Sequence, residues 1–145
     1  MFSDGHMQQT ALARLRQVIE EGGDETDLAR LANSEEALVR AAVAEHPLTS
    51  ILALLRLAED EAISVRAAVA RNRREDIPED LHERLASDAH VEVRMALASN
   101  PTIPQRVLDR LARSRDKDVA QIARRRVAEQ GGAKGMLARM ALPLR

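Results

Sequence analysis

The residue that recurs with the regularity chemistry requires is arginine. Arg40, Arg66 and Arg94 each follow a valine (Val39, Val65, Val93), and the steps between them are 26 and 28 residues. Guanidinium forks in a row match phosphates or carboxylates bidentately. Two acids, Asp60 and Asp88, recur six residues ahead of Arg66 and Arg94. A regularly placed acid beside a regularly placed base is what a contact between repeats requires. The expectation is a structural ladder of Arg40, Arg66, Arg94, Asp60 and Asp88 rather than a phosphate-binding row.

A second group of arginines is clustered instead of spaced. Arg71, Arg73 and Arg74 surround a turn, and Arg124, Arg125 and Arg126 are consecutive, so on a helix they cannot all face a core. With Arg106 and Arg110, and with Arg113, Arg115 and Lys117 nearby, they make the C-terminal half basic. Residues 61–145 carry 17 basic and 12 acidic side chains, against 5 and 11 in residues 1–60. A nucleic-acid surface has this look. Against it, Asp109, Asp116 and Asp118 intervene, the net charge is −1, and neither Trp nor Tyr is present to stack on a base. Arg71, Arg73, Arg74, Arg106, Arg110, Arg124, Arg125 and Arg126 are therefore candidates for binding a protein partner, with nucleic acid as the alternative.

Other chemistries find no constellation. The four histidines (His6, His46, His82, His90) lack metal-ligand spacing and read as exposed or turn residues. Without cysteine there is no thiolate metal site, no thiol nucleophile and no disulfide. No nucleophile elbow, phosphate-binding loop or dinucleotide fingerprint is present. Acid pairs such as Glu20/Glu21 and Glu35/Glu36 read as solvated charge at helix ends. The expectation is a non-enzymatic chain with no cofactor.

The elements that position these residues follow from composition and repeat. Apolar residues make up 45% of the chain, nearly all of them Ala, Leu, Val and Ile, and Phe2 is the one aromatic. Ala, Leu, Arg and Glu are strong helix formers and alternating β-branched runs are missing, so the class is all-α. Three stretches align: LANSEEALVRAAVAEHP from Leu31, LAEDEAISVRAAVARNR from Leu57 and LASDAHVEVRMALASNP from Leu85, with a decayed copy from Leu111 that places Val119-Ala120 at the Val-Arg position. Each unit reads as a helix A (near 50–58, 78–87 and 104–113, opened by Ser50, Pro78 and Pro104), a turn carrying Asp60, Asp88 or Ser114, and a helix B (near 62–71, 90–99 and 116–129). His46-Pro47, Asn72-Arg73 and Asn100-Pro101 close the B helices.

The inward positions are Ala53/Leu81/Val107 and Leu57/Leu85/Leu111 on helix A, and the valines on helix B. An opening helix is expected over 8–21 and a truncated helix A over 25–32. The domains are 1–24, an N-terminal helix and cap; 25–130, the helical repeats; and 131–145, an amphipathic tail. The expected fold is a short right-handed α-solenoid of stacked helix pairs, about four repeats of 26–28 residues.

The pattern L-A-x-D-x-x-x-x-V-R-x-A-V-A-x-N-P resembles the leucine-rich repeat variant family and, more loosely, HEAT-like repeats, over about residues 25–128. The resemblance implies that one helix of each pair is short or 3₁₀-like, which would make helix B less regular. Some members of that family carry an iron–sulfur module on clustered cysteines; this chain has none, so that property does not carry over.

The tail, GGAKGMLARMALPLR, places Met136, Leu137, Met140 and Leu142 among Lys134, Arg139 and Arg145. Such a segment can cover the last repeat, enter a partner groove or support self-association. No apolar run reaches the ~18 residues of a membrane span, and a cysteine-free chain suits a reducing compartment. A cytoplasmic module that presents a surface to a protein partner, with no membrane contact, is the resulting expectation.

Overall fold

The computed structural model describes residues 10, 12, 13, 15–17, 20 and 23–140, with backbone alone for 135 and 137–140. Every regular element among these residues is an α-helix. In chain order they are α1 (Glu25–Leu31), α2 (Ala37–Glu45), α3 (Ile51–Leu57), α4 (Ile63–Arg71), α5 (Glu79–Ala86), α6 (Val91–Ser99), α7 (Gln105–Leu111) and α8 (Lys117–Met140). Of the opening helix expected over 8–21, the described residues 10, 12, 13, 15–17 and 20 are helical, and Leu15 is buried.

The odd-numbered helices are the A helices; α1 starts at Glu25 as expected, and α3, α5 and α7 start one residue later than expected. Ser50, Pro78 and Pro104 are N-caps, not first helical residues. Their extended ψ angles, between 138° and 152°, turn the chain into each helix, and the fixed φ of proline suits the position. Asp24 caps α1 by accepting from the Thr26 and Asp27 amides, and Ser50 caps α3 by accepting from Ala53. The B helices α2, α4 and α6 are regular nine-residue α-helices. The shorter member of each pair is therefore helix A, and helix B is not 3₁₀-like.

Packing runs chiefly between B helices: α2 lies on α4, α4 on α6, and α6 on α8. Each A helix packs against its own helix B. Of the A helices, α5 and α7 pack closely on one another, whereas α1 and α3 do not. Small residues allow the B-to-B approach. Val65, Ala67, Ala68, Val69 and Ala70 are all buried, so α4 is enclosed on nearly every side. Val39, Val65, Val93 and Val119 occupy one register and are at most 1% exposed. Each fully buried valine contributes about 1.5–3 kcal/mol. The A-helix positions Leu57, Leu81, Leu85, Val107 and Leu111 complete the core.

The last helix departs from the sequence reading. It was expected to end near 129 before a separate tail, yet α8 runs through Gly131 and Gly132 to Met140. Extending a helix already nucleated needs no new nucleus, so three glycines (Gly131, Gly132 and Gly135) costing about 1 kcal/mol each do not end it. Met136 is 66% exposed, so its side chain does not cover the last repeat. Residues 141–145, with Leu142 and Arg145, lie outside the described residues.

Candidate interaction surfaces and the ladders beneath them

Between A and B helices the chain turns on a short polar residue. At Ser34, Asp60, Asp88 and Ser114 the side-chain oxygen accepts the amide two residues on, from Glu36, Ala62, His90 and Asp116 respectively. This local bond forms the turn that starts each helix B. In the middle turns the residue is aspartate, and its carboxylate takes a second role. Arg40 donates to Asp60 at 2.7 and 3.0 Å, and Arg66 donates to Asp88 at 2.8 and 3.3 Å. The same guanidinium groups reach back to their own unit's turn: Arg40 to the Ser34 carbonyl at 2.8 Å, Arg66 to that of Asp60 at 2.7 Å, and Arg94 to that of Asp88.

Each ladder arginine thus clips two successive turns together. The third rung is looser. Serine replaces aspartate at Ser114, and Arg94 instead faces Asp116 at 3.8 Å. The fourth register position is Ala120, with no guanidinium. Burial alone would raise the Asp60 and Asp88 carboxyls; the hydrogen bonds from Arg40 and Arg66, with those from the Ala62 and His90 amides, hold both below the ordinary carboxylate value.

A second ladder was not read from the sequence. Asn72 and Asn100 close their helices as expected, and each side-chain oxygen accepts the amide two residues on, from Arg74 and Thr102. Their Nδ2 groups do more. Asn72 donates to the Ala44 and His46 carbonyls at 2.8 and 3.2 Å, and Asn100 to those of Ala70 and Asn72 at 2.8 and 2.7 Å. These carbonyls lie at or just past the end of the preceding helix B, where the helix itself supplies no donor. The outer members of this register each perform half the task. His46 only accepts, from the Leu48 amide, and Arg126 only donates, to the Ala98 and Asn100 carbonyls. Arg126 is therefore drawn into the packing rather than presented on the basic face. The shared spacing of 28 and 26 residues from Asn72 to Asn100 to Arg126 is the signal that could have found it.

Most of the other candidate arginines have partners too. Arg71 pairs with Glu45, Arg74 with Asp76 and the Thr49 carbonyl, Arg106 with Glu79, and Arg110 with Glu83. Arg125 pairs with Glu129, and Arg124 donates to the Ala112 carbonyl. Among the described residues Arg73 alone of the eight has no hydrogen bond or ion pair. Arg71 and Arg73 border an open groove of about 490 Å³ that crosses α2, α4 and α6, where Glu45, Pro47, Ala96, Ser99, Asn100 and Pro101 complete its walls. The structure brings Arg71 and Arg73 to this groove and places Arg106 and Arg110 in a separate cleft between α5 and α7.

His46 and His90 lie at helix boundaries, as expected of turn histidines. His82 does not: it is 3% exposed within α5, neither ring nitrogen has a partner, and burial lowers its pKa below the ordinary histidine value. Among the described residues no three potential ligands cluster as a metal site would require, and no helix is long and apolar enough to cross a membrane. Compared with protein-family models, curated proteins and solved structures, the chain matches none.

Proposed function

We propose that this chain is a non-enzymatic protein-interaction module, a cytoplasmic scaffold or adaptor. In this reading its helix pairs follow one another as a short right-handed α-solenoid of the leucine-rich repeat variant or HEAT-like kind. The Arg–Asp and Asn ladders support that arrangement, because each ties one unit to the next by the same bonds at the same register. The observation that carries the function is the groove crossing three successive B helices, with the unpartnered Arg73 and exposed Arg71 on its wall. An extended segment with an acidic group and small apolar side chains fits such a surface.

Nucleic acid is the second reading, and it draws on the excess of basic residues in the C-terminal half. Seven of its eight candidate arginines hold acids or backbone carbonyls of this chain, which leaves Arg73, with Arg115, Lys117 and Lys134 outside the candidate set, as the unengaged cations among the described side chains of that half. The test is affinity capture from nuclease-treated native lysate with the wild type and an Arg71→Glu/Arg73→Glu variant. A protein retained by the first, lost with the second and reproduced as a purified pair supports the reading. Retention that nuclease abolishes contradicts it.

A further inference from the structure

The A helices carry an arginine row of their own: Arg30, Arg56, Arg84 and Arg110, spaced 26, 28 and 26 residues apart. Arg84 pairs with Glu59 of the preceding unit, and Arg110 with Glu83 of the preceding unit. For Arg56 the equivalent positions hold Asn33 and Ala29. The Arg56 side chain accordingly makes no hydrogen bond or ion pair among the described residues.

The groove that Arg56 borders is also exceptional. Between α5 and α7 the corresponding cleft is lined by Glu79, Asp80 and Glu83 facing Arg106, Arg110 and Arg113, and its charges meet one another. Between α1 and α3 the lining is Ala29, Ala32, Leu52, Ala53 and Leu57, with Arg56 beside them and a volume of about 300 Å³. Asn33 and Ser50 also line it, but their side chains are engaged with the Ala29 carbonyl and the Ala53 amide. Leu52 is 60% exposed where Asp80 and Arg106 stand in later units. Arg40 and Asp60 also border the groove, but they neutralise each other. What remains is a trough of alanine and leucine side chains edged by two neutral polar residues, with one uncompensated guanidinium.

We propose that this groove docks a short segment of a partner protein that lays one or two aliphatic side chains over Ala29, Leu52 and Ala53 and gives a single side-chain carboxylate to Arg56. The volume stands at the small end of ligand clefts, ~300–1,000 Å³, and so suits side chains better than a cofactor. Charge sets the number of carboxylates: residues 1–60 hold 11 acids against 5 bases, so a strongly acidic segment is repelled while one acid finds Arg56. This inference rests on the interaction-module reading and adds a second surface to it.

The test is selection of the full chain against a displayed library of random dodecapeptides, followed by fluorescence polarisation with each enriched peptide. The expected peptides combine Leu, Ile or Met with one Asp or Glu. Their affinity should fall about tenfold or more on Arg56→Gln and on Leu52→Ser, and stay unchanged on Glu92→Gln in α6. Both groove positions are exposed, and circular dichroism would confirm that the variants fold. Peptides without a carboxylate, peptides indifferent to both groove variants, or the absence of any enriched peptide would each overturn the proposal. Peptides lost only on Arg73→Gln would overturn it while leaving the interaction-module reading intact.

Discussion

Arg66 on α4 and Asp88 in the turn before α6, twenty-two residues apart, join through two hydrogen bonds, while the same guanidinium donates to the Asp60 carbonyl behind it. Both side chains are largely shielded, at 13% and 10% exposure. The pair is therefore better placed to hold two units together than a surface ion pair, which contributes about 0–1 kcal/mol.

Removing one partner of this clip should cost more than removing the turn's charge. Arg66→Ala strands the Asp88 carboxylate and the Asp60 carbonyl, at an expected cost of about 3 kcal/mol. Asp88→Ser should cost less, because serine keeps the same turn bond at Ser34 and Ser114. Urea unfolding of both single variants and the double variant gives the coupling, expected at about 1 kcal/mol or more. Simple additivity would mean that the bonds do not carry stability.

Asn100 tests the second ladder. Asn100→Ala leaves the Ala70 and Asn72 carbonyls without their donor and should cost about 2–3 kcal/mol. Asn100→Asp keeps the acceptor for Thr102 but turns a carboxylate oxygen toward those carbonyls, so it should destabilise at least as much. Equal stability of Asn100→Asp and wild type in thermal unfolding would show that the donor is dispensable.

His82 sets a pH dependence. Its folded pKa lies below the unfolded value of about 6.5. Below that pH the unfolded chain binds a proton that the folded chain refuses, so stability should decline as pH falls from about 6.5. Burial lowers His46 in the same direction. Asp60 and Asp88 act at lower pH, since their stabilisation is present above about 4 and is lost as pH falls through their depressed folded values. Thermal unfolding of wild type and His82→Leu between about pH 5 and 7 checks this: the variant should show the shallower slope. Parallel slopes would mean that His82 takes up its proton as readily in the folded chain as in the unfolded one.

The repeat made much of this fold legible. Val39, Val65 and Val93 mark one register with identical side chains, and a fixed period implies a shared environment, which burial shows. What stayed hidden were the residues that differ from their register. His82 aligns with Leu54 and Leu108, both fully buried, yet its polarity suggested a surface. Asn72 and Asn100 showed their local role as helix terminators, whereas their bonds to a unit 28 residues back depend on how units pack. Arg126 was masked by its neighbours Arg124 and Arg125, since a run of charge does not reveal which member turns inward. Gly131-Gly132 looked like an end because glycine usually is one past a helix.

Under the proposed function, the arginines of the C-terminal half serve the fold and protein contact rather than nucleic acid. Fluorescence anisotropy with random-sequence single- and double-stranded oligonucleotides at about 150 mM salt tests this most directly, with wild type and an Arg124→Glu/Arg125→Glu/Arg126→Glu variant. The expected result is weak association with both oligonucleotides, and a variant whose principal defect is lowered thermal stability from the loss of Arg126 at the Ala98 and Asn100 carbonyls. Sub-micromolar binding by the wild type that falls steeply with salt and vanishes in a folded triple variant would contradict it.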